Sequence, residues 1–312
     1  MSQMSTLLIS HPACLQHIVP QGHPERPDRL RAVERALEAE KFQALARVEA
    51  PMASLETVAL CHPMDYVTEL RDASPSEGLI HLDGDTAMSP GTFEAALRAA
   101  GGAVLAVDEV LAKKARNAFV ATRPPGHHAE TARPMGFCLF DNAAIAARHA
   151  QNHHGVARVA IVDFDVHHGN GSQEIFWADK TVMYCSTHQM PLFPGTGAIG
   201  ESGEYNTVVN APLRPGDDGN KFKAAFEDRI LPRLNEYRPE LLIISAGFDA
   251  HYRDPLANLN LTEEDFAWAT KKLMDVADAC AGGRVVSLLE GGYDLQALGN
   301  SVAAHVTALM RG

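Results

Sequence analysis

Asp163, Asp165 and His167 fall at alternate positions of RVAIVDFDVHHGNG (158–171), directly after the apolar, β-branched run 159–162. A short unbroken apolar run reads as a strand buried on both faces, hence one inside a parallel sheet. Alternate side chains of an extended segment point the same way, so two carboxylates and an imidazole are expected to leave the end of a buried strand together. Converging carboxylates repel and are costly to desolvate unless positive charge lies between them. A divalent metal is the simplest source of that charge. A second apolar run, LLIISA (241–246), leads into GFDAH (247–251), which offers Asp249. Asp165, His167 and Asp249 are therefore the candidate metal ligands. Three protein ligands with a fourth position left for water is the arrangement of a catalytic zinc site. The two carboxylates make the donor set hard enough to admit ferrous iron as well. The plainer alternative is that Asp165 and His167 cap a helix or pair with each other.

Other chemistry-bearing residues follow other apolar runs. RPPGHHA (123–129), after AFVAT, carries His127 and His128. A metal-activated water must lose a proton to attack an amide and the departing amine must gain one, and imidazole does both near neutral pH. Each ring needs a partner to fix its tautomer, for which Asp163 and Asn170 remain. EGGYD (290–294) places Tyr293 after two glycines, where a phenol can donate a hydrogen bond to an oxyanion. Phe137 in GFC and Phe193 in LFPGTG are plain core, or else two facing rings forming a narrow slot for an alkyl chain. His168 alternates away from the ligand and is expected to make a structural hydrogen bond. His153 and His154 stand at a helix end before Gly155 and are expected to be exposed and inert.

Residues so far apart share a cleft only if the elements before them lie side by side. Strands are expected at 6–10, 118–122, 159–164, 181–186, 207–210, 241–246 and 285–289. Helices are expected from Pro27–Asp28 to about 37, from 89–91 to about 115, and over 140–150, 221–237, 262–280 and 295–310, with a short one beginning at 173–176. Residues 51–90 show turn formers and no strong period. This alternation is that of an α/β protein with a parallel sheet and helices on both faces, in which ligands bind beyond the carboxyl ends of the strands. Gly101–Gly102 inside the long helix costs about 1 kcal/mol per glycine, so close packing is expected there. With no linker or repeat, a single domain over 1–312 is expected.

Composition narrows the field. The 312 residues carry a net charge of −12, which gives no support for non-specific nucleic-acid binding. No run of 18 apolar residues suits a membrane span, and residues 1–15 lack the basic and apolar regions of a leader. Five cysteines without a CxxC pair suit reduced thiols and a cytoplasmic location.

RPPGHHA, GFCLFDNAAIAA, DFDVHHGNG, FPGTG, GFDAH and LEGGYD, in this order, resemble the zinc-dependent histone deacetylase family in its class II-like branch of bacterial deacetylase-like amidohydrolases. The resemblance runs from about His23 to Tyr293. It implies a three-layer α/β/α sandwich around a mostly parallel eight-stranded sheet, of the arginase/deacetylase type. It implies one zinc on Asp165, His167 and Asp249, His128 as general base and acid, and His127 as its electrostatic partner on Asp163. Tyr293 then polarises the scissile carbonyl. Phe137 and Phe193 match the walls of an acyl-lysine tunnel with Gly136, Gly291 and Gly292 along the same path, Leu256 a residue at its rim, and Asp85 an aspartate that holds the substrate backbone. Arg29 matches an arginine lining an internal channel. Similar proteins also carry monovalent cation sites. The contributors here are Asp163, Asp165, His167, Ser186 and Thr187 at one site, and Phe176, Asp179, Val182 and Thr207 at another, with potassium as the ion.

Asn170 stands where class I relatives have an aspartate, so His128 lacks a carboxylate partner. Residues 61–90 are shorter than in acetylpolyamine hydrolases, which favours an acyl-lysine peptide or other acylated amine. An acetylpolyamine amidohydrolase, a two-metal arginase-type hydrolase and a non-catalytic acyl-amine binding module are the competing readings.

Overall fold

The computed structural model describes residues 5–311. In chain order its elements are β1 (Thr6–Ser10), α1 (Asp28–Ala36), β2 (Ala46–Glu49), α2 (Leu55–Val58), α3 (Met64–Ala73), β3 (Ile80–His81), β4 (Ala87–Met88), α4 (Thr92–Leu111), β5 (Asn117–Val120) and α5 (Asn142–His154). There follow β6 (Val159–Asp163), α6 (Asn170–Ile175), β7 (Val182–Gln189), β8 (Val208–Leu213), α7 (Gly219–Ala225) and, after a π-helical turn, α8 (Leu231–Tyr237). The chain closes with β9 (Leu241–Ala246), α9 (Glu263–Val276), β10 (Val285–Leu289) and α10 (Leu295–Arg311).

Eight strands form one sheet in the order β2-β1-β5-β10-β9-β6-β7-β8, and every neighbouring pair is parallel. The central strands are the largely apolar runs, and β6, β9 and β10 are buried along their whole length. One apolar core, with Leu30, Phe266 and Val302, lies under α1, α9 and α10; the other, with Ala100, Val107 and Ile145, lies under α4 and α5. The result is the three-layer α/β/α sandwich. Gly101 is there for close approach: a Cβ on it would run into the backbone of Pro51–Ala53, which crosses the helix at that point. Helix ends follow local chemistry, with Asp141 accepting the Ala144 N–H at the start of α5 and left-handed Gly155 (φ 67°) ending it.

Two regions differ from the expected elements. β2 (ARVE) is an exposed edge strand without alternation, so it carries no apolar signal. Residues 51–90 hold α2, α3 and the β3–β4 ladder, elements too short for a period to emerge. The leader reading falls partly on residues 1–4, outside the described residues. Among the described residues no helix is long and apolar enough to cross a membrane.

Candidate active site

The strands β5, β10, β9 and β6 are consecutive in the sheet, and their carboxyl ends open onto one place. The extended conformation behind the alternation argument stops at Asp163, the last residue of β6. Beyond it each aspartate folds the chain back on itself. Asp163 Oδ1 accepts the Asp165 N–H (3.0 Å) and Asp165 Oδ1 accepts the His167 N–H (2.9 Å). Such side-chain-to-backbone bonds two residues on make turns. They carry Asp165 and His167 towards the loop after β9.

There the three candidate ligands meet. His167 Nδ1 lies 3.1 Å from Asp165 Oδ1 and 3.0 Å from Asp249 Oδ2, and all three residues are buried. Their donor atoms lie within 4.8 Å of one another. The outer oxygens are pinned by backbone, since Gly291 N–H donates to Asp165 Oδ2 and Val166 N–H to Asp249 Oδ1, both at 2.8 Å. A Cβ at Gly247 or Gly291 would overlap these carboxylates, so only glycine lets β9 and β10 close around them. Burial, and then Asp165, push the Asp249 carboxyl up to about 6. Burial opposes a charge on His167, but the two carboxylates outweigh it and raise the imidazole to about 10. Two buried anions around one focal point, with an imidazole borrowed to neutralise them, fit a divalent cation with a mixed oxygen and nitrogen donor set.

The paired histidines sit beside this point, their ring centroids 4.0 Å apart. His127 Nδ1 is 2.9 Å from Asp163 Oδ2, which also accepts the Tyr184 hydroxyl at 2.9 Å. Burial alone would depress His127; Asp163 and Asp165 outweigh it and hold the ring well above the usual range. His128 Nδ1 is 2.9 Å from Asn170 Oδ1. The Asn170 amide nitrogen donates to Glu130 Oε1 (2.8 Å), so its oxygen must face His128. Nδ1 of His128 is thus the donor and Nε2 carries the lone pair. Burial, then His127 and His167, hold His128 well below the usual range. One ring is built to stay charged and its neighbour to stay neutral.

Tyr293 approaches from the other side. Its N–H donates to Asp254 Oδ2 (2.7 Å), its ring lies under the Arg29 guanidinium (4.9 Å), and Arg29 Nε donates to the Gly292 carbonyl (2.6 Å). Burial, and then Asp249, push its hydroxyl far up, so it remains a donor. Phe137, itself at positive φ (71°) after Gly136 (φ 56°), packs 6.0 Å from the Tyr293 ring. Phe193, 41% exposed, packs 5.2 Å from His128 and 6.3 Å from His167. The two phenyl groups therefore flank the site on its tyrosine and histidine sides. Leu256 is half-buried, its N–H on Asp254 Oδ1 at 3.0 Å. Asp85 is half-buried near the Phe137 wall; its carbonyl accepts from His23 (2.9 Å), whose ring contacts Phe137 at 4.7 Å.

The residues named for cations occupy two places. Near Asp163, the Ser186 hydroxyl meets His188 Nδ1 (2.8 Å), while the Thr187 and Ser245 hydroxyls are buried without a partner among the described residues. Farther along, the Asp179 carbonyl accepts from Thr207 Oγ1 (2.9 Å), the Phe176 carbonyl accepts the Asp179 N–H (3.1 Å), and Val182 begins β7. His168 bonds Thr196 (2.7 Å) and Gln173 (3.0 Å). His154 is not inert: it bonds Asp108 at 2.6 Å, and His153 stacks on His149.

The chain matches the model of the histone deacetylase domain over residues 23–309. The chain belongs to the histone deacetylase family. It is 41% identical over 303 residues to histone deacetylase 10, chloroplastic, of Oryza sativa subsp. japonica, covering 91% of this chain and 68% of that protein. It is 39% identical over 277 residues to the histone deacetylase-like amidohydrolase of Pseudomonas aeruginosa, covering 87% and 73%. The crystal structure of the HDA15 HD domain superposes with a TM-score of 0.93 at 34% identity, over 98% of this chain and 88% of that one. The deacetylase fold and hydrolase chemistry of this chain follow from these matches.

Several residues of this deacetylase site escaped the sequence reading. Glu290 is buried, its Oε2 accepting the Gly126 (2.8 Å) and His127 (3.3 Å) N–H groups, with burial raising its carboxyl to about 8. Tyr184, Asp254 and the buried Arg123–Glu25 pair, which is bound to the already named Arg29, also hold site residues in place. Glu290 stands inside LEGGYD and could have been found there. Tyr184 lies inside an apolar strand and gave no signal.

Proposed function

We propose that this deacetylase removes acetyl or related acyl groups from lysine side chains or similar acylated alkyl amines, with zinc as its metal. The reading rests on one observation above the rest: a buried Asp-His-Asp focus faces a charged-neutral histidine pair on one side and a tyrosine donor on the other. Asp165, His167 and Asp249 would hold the zinc. When bound, zinc supplies a Lewis acid that acidifies water and polarises the acyl carbonyl.

His128 accepts the proton of the attacking water at Nε2 and returns it to the leaving amine. Asn170 fixes that tautomer without adding charge. His127, kept protonated by Asp163, lends positive charge to the developing oxyanion, and Tyr293 donates its O–H to the same oxygen. Phe137 and Phe193 enclose the alkyl chain, with Gly136, Gly291, Gly292 and Leu256 along its path, and Asp85 accepts a hydrogen bond from the substrate backbone. The orphaned Thr187 and Ser245 hydroxyls favour a potassium ion beside Asp163. Purified enzyme stripped of metal and reloaded with zinc, iron or cobalt, assayed on acetyl-lysine peptides and acetylated polyamines, tests the reading. It expects zinc-restored hydrolysis with the peptide preferred. Preference for acetylated polyamine would overturn the substrate assignment, and binding without turnover the catalytic one.

A further inference from the structure

A second cluster with metal-ligand chemistry lies outside the active site. Asp108 of α4 and His149 and His154 of α5 bring one donor atom each within 4.8 Å of the others. Nε2 of His149 (2.7 Å) and Nε2 of His154 (2.6 Å) both point at the same oxygen, Asp108 Oδ1. His153 stacks on His149 at 4.5 Å and braces the ring from the outer side. Because α4 leads into β5 and α5 into β6, the cluster lies where these strands begin, at the end of the sheet opposite the active site.

Its position in the helices favours a cation. Asp108 is in the last turn of α4, where the helix dipole already presents negative charge, and His149 and His154 lie in the last turns of α5. Two helix carboxyl termini and a carboxylate thus converge at one point, and the basic groups answering them are two imidazoles. Two imidazole nitrogens and one carboxylate oxygen suit a borderline first-row cation; they are too nitrogen-rich for calcium or magnesium.

We infer that Asp108, His149 and His154 form a second site for a zinc-type divalent cation, which clamps α4 to α5 and takes no part in hydrolysis. Zinc titration of the full, metal-stripped chain against a chromophoric competitor tests it. Two equivalents are expected for the unaltered protein, one for His154→Ala and one for Asp108→Asn, with hydrolysis by both zinc-loaded variants unchanged. Asp249→Ala is expected to lose the other equivalent and to keep a zinc-dependent rise in melting temperature, which Asp249→Ala/His154→Ala lacks. Because the His154 ring is partly exposed (27%), its removal leaves the core intact. One equivalent in the unaltered chain, or a second equivalent that survives His154→Ala, overturns the site. Retention of both equivalents by Asp249→Ala would instead overturn the catalytic assignment.

Discussion

The two ends of the sheet's strands carry clusters drawn from the same residue types in unlike surroundings. At the strand carboxyl ends, Asp165, His167 and Asp249 are buried, their outer oxygens are tied to backbone N–H groups, and glycines at 247 and 291 leave room for nothing else. At the opposite end Asp108 is 42% exposed, its two histidines reach one oxygen, and no backbone donor among the described residues fixes the carboxylate. Donor type decides whether a cation can be held. What surrounds the donors decides whether anything is done with it. The first cluster faces an imidazole held neutral, a second held charged, a phenol and two phenyl rings; the second faces a stacked imidazole and solvent.

If His128 carries the proton as proposed, this contrast breaks most visibly there. His128→Ala should lower kcat about 10²–10⁴-fold, the usual contribution of one positioned acid–base group, while zinc stoichiometry stays the same. A variant with near-normal turnover would leave the histidine pair as structural as His149 and His154. Tyr293→Phe removes one oxyanion donor and should lower kcat about 10²–10³-fold with little change in KM. An effect confined to KM would make Tyr293 a wall of the slot.

How much of this was legible beforehand follows the physics of each region. The central strands were readable because strands covered on both faces are near-continuously apolar, and LLIISA and VVSLL, each with a single serine, admit few other readings. The edge strand ARVE, exposed at all four positions, carries no such pressure. That Asp165, His167 and Asp249 would meet was readable because each follows a buried strand, although the reason offered for Asp165 and His167 was incomplete: turns made by Asp163 and Asp165 bring them in, after the strand has ended. The second cluster was missed because nothing in the sequence ties Asp108 to His154. Only the packing of α4 on α5 brings them together, and from the chain alone His153–His154 reads as an ordinary helix end.

A finer test separates charge from placement within the active site. Asn170 orients His128 without a negative charge, and the ring sits low because of burial, His127 and His167. A depressed value keeps the base form present at pH values where an ordinary histidine would be protonated. Asn170→Asp places a carboxylate on the Nδ1 proton and so raises the imidazole. The acid limb of the kcat/KM profile should therefore move to higher pH, with turnover in the alkaline range retained. An unmoved limb would mean that another group sets it.

The smallest effect belongs to the outer cluster and depends on the metal. In an Asp249→Ala background, where the active site no longer competes for zinc, adding His154→Ala in chelator removes a half-exposed pair. Such pairs are worth about 0–1 kcal/mol. With zinc at a hundredfold excess over its dissociation constant, a site present only in the folded chain adds about 2.7 kcal/mol, which the doubly substituted protein cannot gain. Urea unfolding of both proteins, with chelator and with zinc, should thus show a gap that is small in the first condition and several times larger in the second. A gap of equal size in both would make Asp108, His149 and His154 an ordinary surface ion cluster, and the difference between the two ends of the sheet would then be one of metal binding as well as of chemistry.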